Sequence, residues 1–137
     1  MRRQIAALVL FALASACGGD SNPTNPVVGI AGTFNLVTVN GAPLPYVGTN
    51  DTEFKYEVIS DTYVLTDSRT WTETFKYRFT DKKADTISVT ELRDAGTFTQ
   101  SGSNIRLLSQ ETDMSGEFDG SALRFVLNGG FELVYKK

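Results

Sequence analysis

The sequence predicts an all-β fold, a single antiparallel up-and-down β-barrel of about eight strands. Three observations support this. Apolar and polar residues alternate with a period of two along much of the chain, and helical spacing is almost absent. The turns between the alternating segments are short and rich in Gly, Asn and Asp, so they leave no room for crossover helices. A closed barrel also removes exposed sheet edges, whereas a β-sandwich, the alternative arrangement, retains them.

The clearest strand is TWTETFKYRFT, residues 70–80. Threonines and basic residues alternate along one face, as expected where a strand meets solvent. Glu73 is a carboxylate on the opposite, apolar face. The other members of that apolar face are the aromatic residues Trp71, Phe75, Tyr77 and Phe79. The pattern predicts a half-buried strand with one acidic exception.

The remaining segments are assigned in chain order. Residues 32–40 form the opening strand, and residues 53–66 form a long strand that bends near Ser60–Asp61. Residues 131–136 form the last strand, which is expected to pair with the first and close the barrel. Pro43 and Pro45 exclude a central strand from residues 40–52, so this region is predicted to be irregular. The strands in between are expected to begin at Thr86, Gly96, Asn104, Ser115 and Ala122.

The first 16 residues have the pattern of a secretory signal peptide. Arg2 and Arg3 precede an apolar run at residues 5–13, which is shorter than the roughly 20 residues that a membrane-spanning helix needs. The segment ASAC resembles the lipobox of bacterial lipoproteins. This resemblance implies cleavage before Cys17 and attachment of a diacylglyceryl group and further fatty acyl chains such as palmitate. The alternative is ordinary secretion with a free thiol at Cys17, which an oxidising compartment disfavours.

Several features of the chain bear on its location. Gly18, rather than an aspartate, follows the cysteine, which favours the outer membrane of a bacterial cell envelope. Residues 17–28 then comprise the lipidated Cys17 and a flexible tether rich in Gly, Ser, Asn and Pro. Without the leader the net charge is −5, because Arg2 and Arg3 are the only charged residues removed. A negative chain without basic clusters argues against nucleic acid as a partner, so membrane contact is assigned to the N-terminal lipid anchor.

Residues 29–137 carry a second resemblance. The segments GTFNLVTVNGAPLP, GTFTQSGSNIRLLS and FELVYKK are similar to small lipocalin-like domains of bacterial envelope lipoproteins. In lipocalins proper a tryptophan in a G-x-W motif closes one barrel end, and Phe34 occupies that position here. The resemblance implies a lipocalin-like β-barrel domain that holds an apolar pocket, and it implies no established reaction.

Catalytic chemistry has little support in the sequence. The chain contains no histidine, and lipidation would consume its one cysteine. Glu73 and Glu91 are the candidates for a carboxylate pair, although both are expected to lie in water at a barrel end or to pair with Arg106 or Arg124. The acidic stretch 111–120 offers oxygen ligands for calcium, but its spacing does not match an EF-hand loop. We therefore predict no enzyme activity, cofactor or metal.

The aromatic interior face predicts where a ligand would bind. Leu44 and Tyr46 lie in the irregular region, where they would either contact a ligand or cap the core. An eight-stranded barrel is wide enough either to be filled by its own side chains or to hold one small ligand. The candidate ligand-binding residues are Phe34, Leu44, Tyr46, Tyr63, Trp71, Glu73, Phe75, Tyr77, Phe98 and Phe125.

Two functions follow from these features. The first is a membrane-anchored bacterial envelope lipoprotein whose small barrel binds a small apolar or amphipathic ligand. The second is a non-enzymatic interaction or structural module of the envelope, with a filled barrel that binds a protein or a glycan through its outer face or a loop.

Overall fold

The computed structural model describes residues 29–137. The predicted leader, Cys17 and the tether up to residue 28 lie outside the described residues. Every regular element from residue 29 onward is a β-strand. The strands are β1 (Gly32–Val39), β2 (Ala42–Pro43), β3 (Tyr46–Asn50), β4 (Phe54–Leu65), β5 (Thr70–Asp81), β6 (Thr86–Ser101), β7 (Asn104–Leu108), β8 (Asp113–Phe118), β9 (Ala122–Val126) and β10 (Glu132–Lys136).

Eight strands, β1 and β4–β10, close into an antiparallel up-and-down barrel. Consecutive strands from β4 to β10 pair through short turns, and β1 pairs with both β10 and β4. Leu36 lies opposite Tyr135 on one side of β1, and Phe34 lies opposite Tyr63 on the other. The predicted barrel and its closure by the last strand are confirmed. The sandwich alternative is wrong, because the strands form one continuous sheet.

Two local predictions are corrected. Residues 40–52 are not irregular throughout, because they contain β2 and β3. β2 pairs only with β1 and β3 only with β4, and such edge positions accept a proline that cannot donate to the ladder. The segments predicted to begin at Thr86 and Gly96 are one strand, β6. Gly96 therefore lies inside a strand and not in a turn. Only glycine fits at this position, because a Cβ there would come within 1.9 Å of the carbonyl oxygen of Leu108.

A β-bulge bends β4 where the sequence predicted a bend. Val58 pairs with Tyr77 and Ser60 pairs with Lys76, so Ile59 is an extra residue in β4. The extra residue changes which side chains face inward. Tyr56 and Val58 share the interior face before the bulge, and the odd-numbered residues from Asp61 onward share it afterwards.

Most of the interior is filled by side chains, and we call this part the packed half. Trp71 is 1% exposed, and its indole N–H donates to the carbonyl oxygen of Thr97 at 2.9 Å. Phe34 packs edge-to-face on Phe118 with ring centroids 5.9 Å apart, and the Lys137 ammonium lies over both rings. The packed half comprises Phe34, Leu65, Trp71, Phe98, Ile105, Leu107, Phe118, Leu123 and Phe125, each at most 5% exposed.

Strands β4, β5 and β6 are longer than the other barrel strands and extend beyond the barrel wall. The first part of β6, residues 86–95, pairs with β5 alone. Ile87 and Val89 lie on the outer face of this extension and are 69% and 61% exposed. Its inner face carries five rings, which we call the aromatic ladder: Phe75, Tyr77 and Tyr56 are in contact with centroids 5.2–5.9 Å apart, and Phe54 and Phe79 form a separate pair at 5.3 Å.

Candidate ligand-binding cleft

An apolar cleft of about 340 Å³ opens at the barrel end where β1 finishes and β10 begins. Its volume is at the small end of the range of about 300–1,000 Å³ that is usual for small-molecule sites. Tyr46 and Tyr56 line its mouth, together with Leu127 and Phe131 from the β9–β10 turn. The walls comprise Leu36, Val39, Val58, Phe75 and Leu133, and the lining also includes Gly48, Thr49, Asp61 and Tyr135. The site is therefore apolar with one carboxyl group.

Asp61 reaches the interior because of the bulge in β4. Unbroken alternation from Tyr56 and Val58 would turn Asp61 outward, but the extra residue Ile59 shifts the phase. Asp61 is consequently 5% exposed. Its Oδ2 accepts a hydrogen bond from the Tyr135 hydroxyl at 2.7 Å, and its Oδ1 has no hydrogen-bond donor within residues 29–137.

A second tyrosine–carboxylate pair lies beside the first. The Tyr63 hydroxyl donates to Oε1 of Glu73 at 2.8 Å, and the rings of Tyr63 and Tyr135 meet edge-on with centroids 5.2 Å apart. When either Asp61 or Glu73 is protonated, it can donate a hydrogen bond to the other. We call these four residues, Asp61, Tyr63, Glu73 and Tyr135, the tyrosine–carboxyl cluster.

The environment of the cluster favours the neutral forms of its acids. Burial, reinforced by the negative charge of Glu73, raises the pKa of Asp61 to about 7. Burial also raises the pKa of Glu73, and the nearby charge of Asp94 adds to this. Burial raises the pKa of both tyrosines, so they remain hydrogen-bond donors at any physiological pH. Near neutral pH the two carboxyl groups therefore hold between them a proton that exposed carboxyls would have lost.

The ion pairs of the described residues lie away from the cluster. Arg106 pairs with Asp113, Arg124 with Glu132, and Glu57 with Lys55 and Arg78. Neither Asp61 nor Glu73 has a basic partner in this part of the chain. Across residues 29–137, no group of three or more carboxylate, histidine or cysteine side chains is arranged to hold a metal ion.

The structure brings four predicted binding residues to the cleft region. Tyr46 and Phe75 line the cleft, and Tyr63 and Glu73 belong to the tyrosine–carboxyl cluster at its base. Tyr77 lies further out in the aromatic ladder, stacked on Tyr56 with centroids 5.2 Å apart. These residues follow one continuous face from the barrel interior to the extension.

The other predicted binding residues lie in or against the core. Trp71 is in the packed half with Phe34, Phe98 and Phe125, and Arg69 lies over the Phe98 ring. Leu44 is partly buried against the core. This position corresponds to the capping role that was one of its two predicted alternatives.

The candidate carboxylate pair of Glu73 and Glu91 does not form, and the expected pairing of these residues with Arg106 or Arg124 is wrong as well. Glu91 lies on the outer face of β6, opposite Lys76, and forms ion pairs with Lys76 and Arg93. Glu73 faces the interior, where its neighbour is Asp61. The acidic stretch 111–120 is also dispersed, since Asp113 binds Arg106 and Asp119 caps its own turn through the amides of Ser121 and Ala122.

Sequence reasoning missed Asp61, the most deeply placed polar residue of the site. The available signal was the change of phase in EFKYEVISDTYVLT, where inward positions change from even to odd numbers. Leu36, Val39 and Leu133 were also missed, because alternation places them in the interior without distinguishing a filled part from an open one.

Two other depressions of 340–350 Å³ lie along β6–β9. Their linings include the exposed side chains of Arg106, Glu117 and Arg124. No buried polar atom without a partner lies in either of them. The cleft at the barrel end therefore remains the candidate site.

The fold and the site define a class, a small closed β-barrel with an apolar cleft at one end, where the buried carboxyl of Asp61 lies beside the partly buried carboxyl of Glu73. No protein-family model, curated protein or solved structure matches the chain significantly. Within residues 29–137, no helix has the length and hydropathy required to cross a membrane.

Proposed function

We propose that this chain is a non-enzymatic bacterial envelope lipoprotein whose β-barrel binds a small amphipathic ligand in the cleft. One observation carries the proposal. The cleft has apolar walls and ends at the buried carboxyl of Asp61, while the rest of the barrel is filled by its own side chains. Apolar walls with few polar groups are the usual composition of small-molecule sites.

The aromatic ladder extends the apolar surface beyond the mouth of the cleft. Tyr56 and Phe75 belong to both, so a ligand body longer than the cleft would continue onto the rings of Tyr77 and Phe79. Phe131 is 43% exposed at the same mouth. Covering these rings would remove apolar surface from water at about 25 cal/mol per Å².

The envelope location and the likeness to lipocalin-like domains remain part of the proposal. They are supported by the leader, by the lipobox-like ASAC segment with Cys17, and by the three lipocalin-like segments. We place the protein at the outer membrane because Gly18 follows the cysteine. Two acyl chains or more anchor a protein stably, since each buried CH₂ contributes about 0.8 kcal/mol.

A binding role fits the carboxyl pair better than a catalytic one. Tyr63 and Tyr135 each donate a hydrogen bond to one member of the pair. The chain also has no histidine that could act as a second acid or base. A Glu73→Gln change that abolished a measured turnover would overturn this assignment.

The binding proposal is tested with the fluorescent probe N-phenyl-1-naphthylamine, an uncharged apolar molecule. The protein is the full chain with Cys17→Ser, which removes the lipid and allows purification without detergent. We expect saturable fluorescence enhancement with one site per chain. Leu133→Trp, which fills the cleft, should abolish it, and Val89→Trp on the outer face serves as the control of equal size.

The outcomes separate binding from nonspecific adhesion. Loss of the signal in Leu133→Trp but not in Val89→Trp supports the cleft, provided that both variants keep the β-sheet circular dichroism and cooperative melting of the parent. Equal binding by all three proteins, or no binding by the parent, contradicts the proposed function.

Lipidation is tested separately by labelling with an alkyne analogue of palmitate in an expressing bacterium. The wild-type chain should carry the label and fractionate with the outer membrane. Cys17→Ser should lose both properties. Label that persists in Cys17→Ser, or an unlabelled soluble wild-type protein, would refute the anchor.

The second candidate, an envelope interaction module that binds a protein or a glycan, is favoured by one observation. The outward edge of β6 at residues 86–95 has no strand partner in the described part of the chain, and Ile87 and Val89 beside it are exposed. Unpaired apolar edges accept an additional strand. A photo-crosslinker at Val89 should then capture one protein in the native envelope, while one at Thr72 should not.

A further inference from the structure

One oxygen of the Asp61 carboxyl, Oδ1, has no hydrogen-bond donor among residues 29–137 when Asp61 and Glu73 are both ionised. Its Oδ1 is buried and receives no hydrogen bond, although the residue lines the cleft. Buried polar atoms without partners are rare in folded proteins, and each calls for an explanation such as an absent ligand. Asp61 is only 5% exposed, so bulk water can hardly supply the missing hydrogen bond to Oδ1.

The groups that face Asp61 are acids and phenols. Glu73 on β5 and Tyr63 on β4 lie beside it, and Tyr135 on β10 donates to its other oxygen. Asp94 on β6 lies opposite Glu73 and is already engaged by Ser109 and Thr112 at 2.7 Å. The electrostatic surroundings of Asp61 are therefore negative, and no ion pair within residues 29–137 neutralises them.

Two species can supply both the missing hydrogen-bond donor and a positive charge at Asp61. A proton shared between Asp61 and Glu73 does so when the cleft is empty, and a cation of the ligand does so when the cleft is filled. A bound metal ion is a poorer fit, because no set of three ligands converges here. An organic ammonium suits both parts of the site, since its N–H groups can donate to Oδ1 while its apolar body contacts Phe75 and Leu133.

We propose that the cleft selects amphipathic amines, with the ligand ammonium group donating a hydrogen bond to Oδ1 of Asp61 and replacing the proton that Asp61 shares with Glu73. This inference rests on the proposed function, because it assigns a chemical class to the ligand of the same cleft. Binding is an exchange of one positive charge for another: the ammonium enters and a proton leaves to solvent.

The test compares octylamine with 1-octanol, which has the same chain and an uncharged head group. Each displaces N-phenyl-1-naphthylamine from the full chain with Cys17→Ser at pH 5 and pH 8. Octylamine should bind more tightly at pH 8 than at pH 5, because Asp61 must lose its proton, while octanol should show no such change. At pH 8 octylamine should bind at least about tenfold more tightly than octanol, as expected for a charge-assisted hydrogen bond.

Asp61→Asn keeps the shape of the side chain and removes its charge. It should weaken octylamine binding at pH 8 at least about tenfold and remove the pH dependence, with 1-octanol in the same variant as the reference. Asp113→Asn, an exposed aspartate that pairs with Arg106, is the matched control and should behave like the parent.

The results distinguish this inference from the proposed function. If the probe binds the cleft but octylamine and octanol compete equally in the parent and in Asp61→Asn, the amine selectivity is refuted and the cleft remains a binding site. If the probe binds equally well to Leu133→Trp, the cleft itself is refuted. A preference for octylamine that survives in Asp61→Asn would place the cation elsewhere and also overturns the inference.

Discussion

The two halves of the barrel interior follow the same sequence pattern but differ in how they are filled. In the packed half, Trp71, Leu107 and Phe125 are each at most 1% exposed, and the rings of Phe34 and Phe118 meet edge-on. In the cleft half, the corresponding inward positions carry the acids Asp61 and Glu73, and an opening of about 340 Å³ remains. Period-two alternation thus specifies which side chains face inward, but not whether they meet across the barrel.

The difference has two physical causes. The bulge at Ile59 turns the short acidic side chain of Asp61 inward. This side chain is too small to fill the space that a large apolar residue would close. The β9–β10 turn also leaves Leu127 and Phe131 at 38% and 43% exposure, so the mouth is not fully covered by the side chains of residues 29–137.

Truncating one phenylalanine in each half should have very different costs. Phe125→Ala empties a site with 0% exposure and should lower the free energy of unfolding by about 3–5 kcal/mol. Phe131→Ala removes a ring already half in water and should cost less than about 1 kcal/mol. Urea unfolding measures both, and equal losses would show that the cleft half is as tightly packed as the other.

Adding one methyl group to a glycine should also separate the halves. A Cβ at Gly96 would lie 1.9 Å from the backbone oxygen of Leu108, so Gly96→Ala should cost about 3 kcal/mol because backbone must move. A Cβ at Gly48 would lie 3.1 Å from Cδ1 of Tyr56 at the cleft mouth, where a ring can shift, and Gly48→Ala should cost about 1 kcal/mol or less. A reversed order of unfolding midpoints would contradict the description of the two regions.

The carboxyl pair should give the cleft half a distinctive pH dependence. The pKa of Asp61 in the folded chain is about 7, above its ordinary value of 3.8, so folding is most favourable below pH 4 for this group and loses stability as pH rises through 7. Asp61→Asn removes the charge and should raise the free energy of unfolding at pH 8 by on the order of 2 kcal/mol.

The same variant should change little at pH 4.5, where the carboxyl of Asp61 is already neutral. Thermal unfolding at both pH values provides the measurement. Acids whose pKa is lowered, such as Asp113 beside Arg106, act in the opposite direction and below about pH 4, outside this window. An Asp61→Asn variant that is no more stable than the parent at pH 8 would mean that the buried charge is compensated.

The smallest predicted effect concerns the cation at the closed end of the packed half. The Lys137 ammonium lies 5.3 Å from the ring centre of Phe34 and 5.7 Å from that of Phe118. Lys137→Met keeps most of the apolar stem and should cost about 0.5–1 kcal/mol through the lost cation–π contacts. A loss of several kcal/mol in urea unfolding would show that this lysine supports more than the two rings.

The strand order, the barrel closure and the inward aromatic residues were predictable, because alternation and turn residues are local signals. Trp71, Phe75 and Tyr63 face inward as the pattern required. Asp61 was harder to predict, because a single extra residue at Ile59 reverses the phase and its one signal in the sequence is that change in the alternation. The pairing of Glu73 with Asp61 rather than Glu91 depends on that bulge and on the register of β5 with β6.

Pro43 and Gly96 show a second limit of prediction from the sequence. Pro43 excludes a central strand, but it is compatible with β2 because β2 pairs on one side only. Likewise, a glycine such as Gly96 is typical of a turn, but here it allows the backbones of β6 and β7 to approach each other closely. Both residues have two physical roles, and only the tertiary arrangement decides between them.

The most direct test of the account is an amide NMR titration of the full chain carrying Cys17→Ser with octylamine at pH 8. We expect saturable shifts at Asp61, Phe75 and Leu133, with the amides of Leu107, Leu123 and Phe118 in the packed half unchanged. Shifts spread over the outer face around Val89, or the absence of any saturable shift, would contradict the claim that one end of a filled barrel is a binding site.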